Sequence, residues 1–301
     1  MAKGDSLGDR MKGYEAVSKG ILVHRMPVII RIDGKAFHTF TKHFHKPFSE
    51  VMSAAMQETT LQLCKNIQGC VLGYTQSDEI TLVLQDYQEL NTAAWFDYEI
   101  QKLCSISASM ATYYFNKAYH DIVTTWSHTH CSFHKLLRLV ASELCIDRMA
   151  AGETINIPEK DRDIPKWAYN MNIPIHKLMG RYKDADSYIK TFDARCFNLP
   201  KEEVTNCLIW RQQDATRNSI EALGQSKFSH KELHGKNCNM IQDMLHETYN
   251  INWNDIPVKF KRGLCVKKRE GEDGRSSWYV DLNIPIFTQD RNYVEDTFNF
   301  E

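Results

Sequence analysis

An α+β fold, a small sheet covered by helices on one face, is expected from three features of the 301-residue sequence. Short β-branched runs end at turn-forming pairs, and longer segments between them carry apolar residues at helical spacing. The order is strand, helix, hairpin, helix, which is the ferredoxin-like arrangement. No internal repeat or low-complexity tract interrupts it. The length and the 43% hydrophobic content allow a substantial core, as one large domain with additions or as two lobes.

The elements follow in order. PVIIRIDG at 27–34 reads as a buried strand that stops at Asp33-Gly34. Ser49 can cap a helix whose Met52, Ala55, Met56, Thr59 and Leu63 share a face before Asn66 and Gly69 close it. Residues 70–74 and 79–84 read as a hairpin across Thr75, Gln76, Ser77 and Asp78. A second helix is expected from Trp95 to Asn116, with Ile100, Leu103, Ser107, Met110, Ala111 and Tyr114 spaced for burial. Further on, 132–149 reads as helix, FDARCFNLP at 192–200 as strand, and 202–223 and 236–248 as helices. A last hairpin is expected to run from VKFKRGLCVKK to WYVDLNI.

The net charge of −1 gives no global attraction to a polyanion, so a nucleic-acid partner requires a local basic patch. Nine cysteines, an odd number with no Cys-x-x-Cys pair, argue for reduced thiols and a cytoplasmic setting. The polar start MAKGDSLGDR has no signal-peptide core, and no apolar run is long enough to span a membrane.

Asp33 at one strand exit, with Asp78 and Glu79 at the hairpin turn, are expected to gather three carboxylates beside an open site. Such anions repel one another unless a cation is present, and oxygen ligands suit Mg²⁺. Strand alternation turns Asp78 and Glu79 to opposite sides, favouring Asp33 and Asp78 as the shared ligands with Glu79 as a third ligand or a support behind them. Asp-Gly and Ser-Asp-Glu are also ordinary turn sequences, so neither motif alone reaches a function.

Five separated segments together carry a stronger signal: RIDGKAFHTFTKHFHKPF (31–48), GYTQSDEITLVL (73–84), KLCSISASMATYYFN (102–116), FDARCFNLP (192–200) and WRQQDATRNSI (210–220). In this order they resemble the tRNA-His guanylyltransferase family, in particular its bacterial and archaeal guanylyltransferase-like branch, over 11–116 and roughly 190–265. The resemblance implies a polymerase-palm-like catalytic domain with helical additions and a C-terminal hairpin. It also implies 3′-to-5′ addition of nucleotides to the 5′ end of tRNA, after ATP or GTP activates a 5′ monophosphate. By motif match, Asp33, Asp78 and Glu79 carry two Mg²⁺ ions, and the backbone of Gly34 lies against metal and triphosphate. Lys35, Ala36, Phe37 and His38 follow in the same motif near the nucleotide, while Lys46, Ser77 and Lys102 are the groups expected on phosphate.

RNA contacts are expected from Gln213, Arg217 and Asn218 on the WRQQDATRNSI helix, from Lys231 and Lys236, and from Arg262 within the run that ends at Arg269. Trp210, Asp214 and Arg217 share a helix face by spacing. Where the eukaryotic branch carries a His-Ile-Asn sequence, this chain reads Arg217, Asn218 and Ser219, which favours templated repair of truncated tRNAs over strict tRNA-His specificity.

The organisation expected is residues 1–116 as the N-terminal part of the palm, 117–190 as an inserted helical and loop segment, and 191–301 as the remaining palm and RNA-binding region. The insertion is expected to extend RNA contact or form an oligomer interface, since family members commonly assemble as tetramers. Its His128, His130, Cys131 and His134 are four N/S donors crowded unlike the spaced pairs of a zinc site, so zinc is not expected. Competing readings are a tRNA-His-specific guanylyltransferase, another palm enzyme such as a nucleotide cyclase, and a noncatalytic RNA-binding protein.

Overall fold

The computed structural model describes residues 6–124, 130–150, 172–271 and 274–298, together with 153 and 156. Its centre is a six-stranded sheet of β1 (Val28–Gly34), β2 (Cys70–Gln76), β3 (Glu79–Leu84), β4 (Phe192–Asn198), β5 (Leu264–Glu270) and β6 (Ser276–Asp281). The spatial order is β4-β1-β3-β2-β5-β6, with every neighbouring pair antiparallel. The first four strands, with α3 (Glu50–Asn66) between β1 and β2 and α4 (Ile100–Thr124) between β3 and β4, give the expected ferredoxin-like order. The β5–β6 hairpin extends this unit at the β2 edge.

Alternation along the strands assigns their two faces. Val28, Ile30, Ile32, Ile80, Leu82 and Leu84 point to α3 and α4 and form the main core with them. Ile29 and Val83 point the other way, to α7 (Lys201–Lys227) and to Ile284, Phe287 and Phe298 from the C-terminal segment. Helices therefore cover both sides of the sheet, and not one face as expected, because Ile29, Leu72 and Val83 give the second face an apolar surface that α7 buries. The anticipated stripe Met52, Ala55, Met56, Thr59 and Leu63 is buried, and Ser49 caps α3 by accepting from the Met52 N–H.

Two boundaries differ from expectation. Helix α4 starts at Ile100 rather than Trp95, because Phe96, Asp97 and Tyr98 all take left-handed backbone angles that a right-handed helix cannot propagate. The predicted strand at 258–262 is a single helical turn instead, α9 (Val258–Arg262), entered from Pro257 and stopped by Gly263 at φ +82°.

Between β3 and β4, α4 is followed by α5 (His130–Ala150) and α6 (Asn172–Asp186). Val140, Ala141, Met179 and Tyr182 belong to the same buried cluster as β1, α3 and α4. Part of the segment expected as an insertion thus belongs to the chain's own core. His128 and the side chains of His130, Cys131 and His134 lie outside the described residues. A third cluster joins the C-terminal half of α7 to α8 (Cys238–Tyr249), with Ile146 of α5 added to it. Among the described residues no helix is long and apolar enough to cross a membrane.

Candidate active site

The register places Asp33 opposite Glu79 on β3 and opposite Asp193 on β4, at the end of the sheet where β1 passes into a turn. The Gly34 N–H donates to the Asp78 carbonyl oxygen at 3.1 Å, tying that turn to the tip of the β2–β3 hairpin. Gly34 is required by close packing, since a Cβ there would lie 2.4 Å from the Phe37 ring. Ala36 takes a left-handed conformation and starts the short helix α2 (Phe37–Phe40), which buries Phe37 and leaves His38 exposed. Lys35 is likewise exposed, and its N–H donates to the Thr191 carbonyl oxygen.

Burial, and next to it the negative charge of Asp33, pushes the Asp78 carboxyl above its ordinary range. Hydrogen bonds from Ser77 and from its own backbone, and the nearby His38, offset this only in part. Among the described residues no lysine or arginine is ion-paired with either aspartate. Glu79 has the opposite surroundings. Its Oε1 accepts from Arg211 Nε at 2.6 Å, and Arg31 Nε stands 3.9 Å from Oε2. Burial still raises the Glu79 carboxyl, while Arg211 and Arg31 pull it down. Arg211 also donates to Asp214 at 2.8 Å and lies over the Trp210 ring, with its side chain almost wholly buried. Of the three carboxylates, Glu79 is thus ion-paired with Arg211, while Asp33 and Asp78 have no lysine or arginine partner among the described residues.

Beside Ser77 opens a cavity of about 290 Å³. Its walls are the segment His45–Ser49, the first turns of α3, the end of β2, one face of α7, and Lys259 to Leu264. Lys46, Ser77 and Asn218, three of the residues expected at the site, line it. Lys259, which also lines it, is held by Glu50 at 2.5 Å. Gly34 to His38 are not among the residues that line the cavity, whereas Ser77, next to Asp78, is.

Other expected residues lie elsewhere. Lys102 pairs with Glu99 at 3.2 Å and is far along α4 from the aspartates. The start of that helix touches β4 at Cys196, which is in register with Ile30, whereas Thr112 meets Phe192, which is in register with Gly34. The ten residues from 102 to 112 amount to about 15 Å of helix. Gln213 and Arg217 are exposed and absent from the cavity lining, and Arg217 is bound to Asp214. Arg262 is half-buried with its Nε unpartnered, while Lys231 and Lys236 are exposed on the segment between α7 and α8. The basic run ending at Arg269 is divided: Lys261 is buried on the Asn254 carbonyl oxygen, and Lys267 donates to the Tyr293 carbonyl oxygen. Lys259, expected only as part of a basic RNA-facing surface, lines the cavity, while Arg211 and His45 lie inside matching segments without having been assigned a role.

The aspartate pair fits a hard divalent cation. Among the described residues no three metal-ligating side chains converge, so a closed protein cage is absent there. Mg²⁺ is held by one or two carboxylates together with water and substrate phosphate, which matches two facing aspartates that lack a basic partner.

A family model described as tRNAHis guanylyltransferase matches residues 8–140. Among curated proteins, the uncharacterized protein R259 of Acanthamoeba polyphaga mimivirus is 27% identical over 98% of this chain and 89% of its own length. A probable tRNA(His) guanylyltransferase of Dictyostelium discoideum is 24% identical over 83% of this chain and 78% of its own. Among solved structures, a bacterial tRNA(His) guanylyltransferase (Thg1)-like protein in complex with ATP is similar with a TM-score of 0.73 and 38% identity, over 98% of this chain and all of that one. The GTP complex of a bacterial protein so described gives 0.67 and 35% over the same shares. With 38% identity along the whole of a solved relative, and with the aspartate pair in the strand-end turns, the chain belongs to the tRNAHis guanylyltransferase family.

Proposed function

We propose that this protein is a Mg²⁺-dependent nucleotidyltransferase that adds nucleotides in the 3′-to-5′ direction to the 5′ end of tRNA, with templated repair of truncated ends as its main task. The observation that carries the reading is the Asp33–Asp78 pair, with no lysine or arginine partner among the described residues, beside a cavity lined by Lys46, Ser77 and Asn218. Its relatives' solved complexes with ATP and with GTP support nucleoside triphosphates as ligands here.

In this reading Asp33 and Asp78 would hold two Mg²⁺ ions, which would supply charge compensation for attack by a nucleotide 3′-hydroxyl on the activated 5′ phosphate. Lys46 supplies positive charge to phosphate oxygens, and the Ser77 hydroxyl and Asn218 amide donate to them. His38, exposed and close enough to act on the charge of Asp78, contributes to nucleotide binding beside the aspartates. Arg211 keeps Glu79 ionised and fixed behind Asp33. The exposed Lys231 and Lys236 contribute to RNA attraction, and Glu143 and Asp147 of α5 hold the cavity wall His45–Ser49 from behind. The working state is a cytoplasmic homotetramer, which light scattering of the purified protein tests.

The deciding experiment incubates the protein with labelled nucleoside triphosphates and tRNAs lacking their first nucleotide, maps the 5′ end, and compares kcat/KM with full-length tRNA-His at one salt and Mg²⁺ concentration. Faster repair of several truncated tRNAs is the expected result. Exclusive addition of G to tRNA-His overturns the repair assignment, and a cyclic product from triphosphate alone overturns the transferase assignment.

A further inference from the structure

The cavity wall His45–Ser49 is held from behind by a helix that carries none of the expected site residues. His45 Nε2 lies 2.7 Å from Asp147 Oδ2 on α5, and its Nδ1 lies 2.9 Å from the Phe48 carbonyl oxygen. One turn earlier on α5, Glu143 is fully buried. Its Oε1 accepts from Ser49 Oγ at 3.0 Å, from the Glu50 N–H at 2.8 Å and from Tyr182 OH at 2.7 Å. Residues four apart lie on one helix face, so the two carboxylates grip the two ends of a single five-residue segment. Lys46 is between them.

A buried carboxylate is costly, and an apolar residue would pack as well. What Glu143 adds is direction, because it accepts from an N–H in the first turn of α3 and fixes where that helix begins. At His45, burial opposes the charge, but the Asp147 hydrogen bond and the charges of Glu143 and Asp147 outweigh it and push the ring up to about 9. The imidazolium is then the form present at neutral pH, and both ring N–H groups donate.

We propose that Glu143 and Asp147 are positioning residues: by fixing the His45–Ser49 wall they hold Lys46 over the phosphates of a nucleoside triphosphate in the cavity. This rests on the reading of the cavity as a triphosphate site. Neither carboxylate lines the cavity, and both act through the wall.

The test uses the full-length chain with Asp147→Asn, Glu143→Gln, Lys46→Ala and the double variant Asp147→Asn with Lys46→Ala. Steady-state addition to a truncated tRNA is measured against ATP and GTP concentration. Asp147→Asn is expected to raise the triphosphate KM about tenfold, the worth of one charge-assisted hydrogen bond, with kcat within about twofold. In the Lys46→Ala background the same change is expected to add almost nothing, since both act through one side chain. Glu143→Gln should follow the same pattern. If it does not fold, Asp147→Asn, whose side chain is 40% exposed, carries the test. An unchanged KM, or full additivity with Lys46→Ala, overturns the proposal. A wild-type protein that adds no nucleotide and binds neither ATP nor GTP instead overturns the functional reading on which it rests.

Discussion

Asp78 and Glu79 are consecutive carboxylates, both raised by burial, yet the tip of the hairpin and the face of the sheet treat them in opposite ways. At the tip, Asp78 meets a second carboxylate, Asp33, and only weak compensation from Ser77 and His38. On the face, Glu79 is bound by Arg211, itself braced by Asp214 and Trp210. One site stores uncompensated negative charge that a cation can relieve. The other uses a complete ion pair to fasten α7 to the sheet. An unpaired carboxylate and an ion-paired one are thus separated by one peptide bond.

The comparison is tested most strongly at the tip. Asp33→Asn or Asp78→Asn is expected to lower nucleotide addition by on the order of 10³-fold, with the fold intact, because each removes a ligand and not a partner of the core. Mg²⁺ should raise the melting temperature of the wild type and fail to do so in either variant, by linkage of binding to folding. Near-normal turnover in both variants would break the contrast.

On the face, Arg211→Met should cost about 3 kcal/mol in denaturant unfolding, since it strands Glu79 and leaves Asp214 with less compensation. Glu79→Gln keeps a hydrogen-bond acceptor and should cost less stability. Should Glu79→Gln instead abolish addition as completely as Asp78→Asn with unfolding unaltered, Glu79 belongs with the aspartates, and the separation drawn above fails.

A smaller effect sharpens the picture at the cavity wall. His45 titrates near 9 when folded against 6.5 ordinarily, so its contribution is complete below 6.5 and is lost as pH rises through about 9. Stability, read from the urea midpoint, should therefore fall by about 2.5 kcal/mol between pH 7 and 10, and Asp147→Asn should flatten that slope. The smallest effects are expected at Lys231→Ala and Lys236→Ala. Stability should stay within about 0.5 kcal/mol, and the salt slope of tRNA binding should drop by about one for each phosphate that is no longer neutralised.

Much of the fold was legible because periodicity is local. The β1 run, the α3 stripe and the hairpin at Asp78 each announce themselves within a few residues, and their order implied the antiparallel four-strand unit. The start of α4 and the helical turn at 258–262 were missed because left-handed angles at Phe96 to Tyr98 and the stop at Gly263 are set by tertiary fit. Lys102 lay inside a matching segment, but only the direction of α4 across the sheet shows that it stands at the far end from the aspartates.

By itself the sequence determined which residues can form strands and helices, that Asp33 and Asp78 fall at strand-end turns, and that five ordered motifs resemble one enzyme family. These depend on neighbours in the chain or on pattern. Tertiary structure alone decided that Glu79 is neutralised by Arg211, 132 residues away, and that Glu143, 93 residues beyond Glu50, directs the start of α3. Ionic partners and buried acceptors are chosen by distance in space, and neither composition nor period records which distant side chain the packing of two helices brings within 3 Å of a carboxylate.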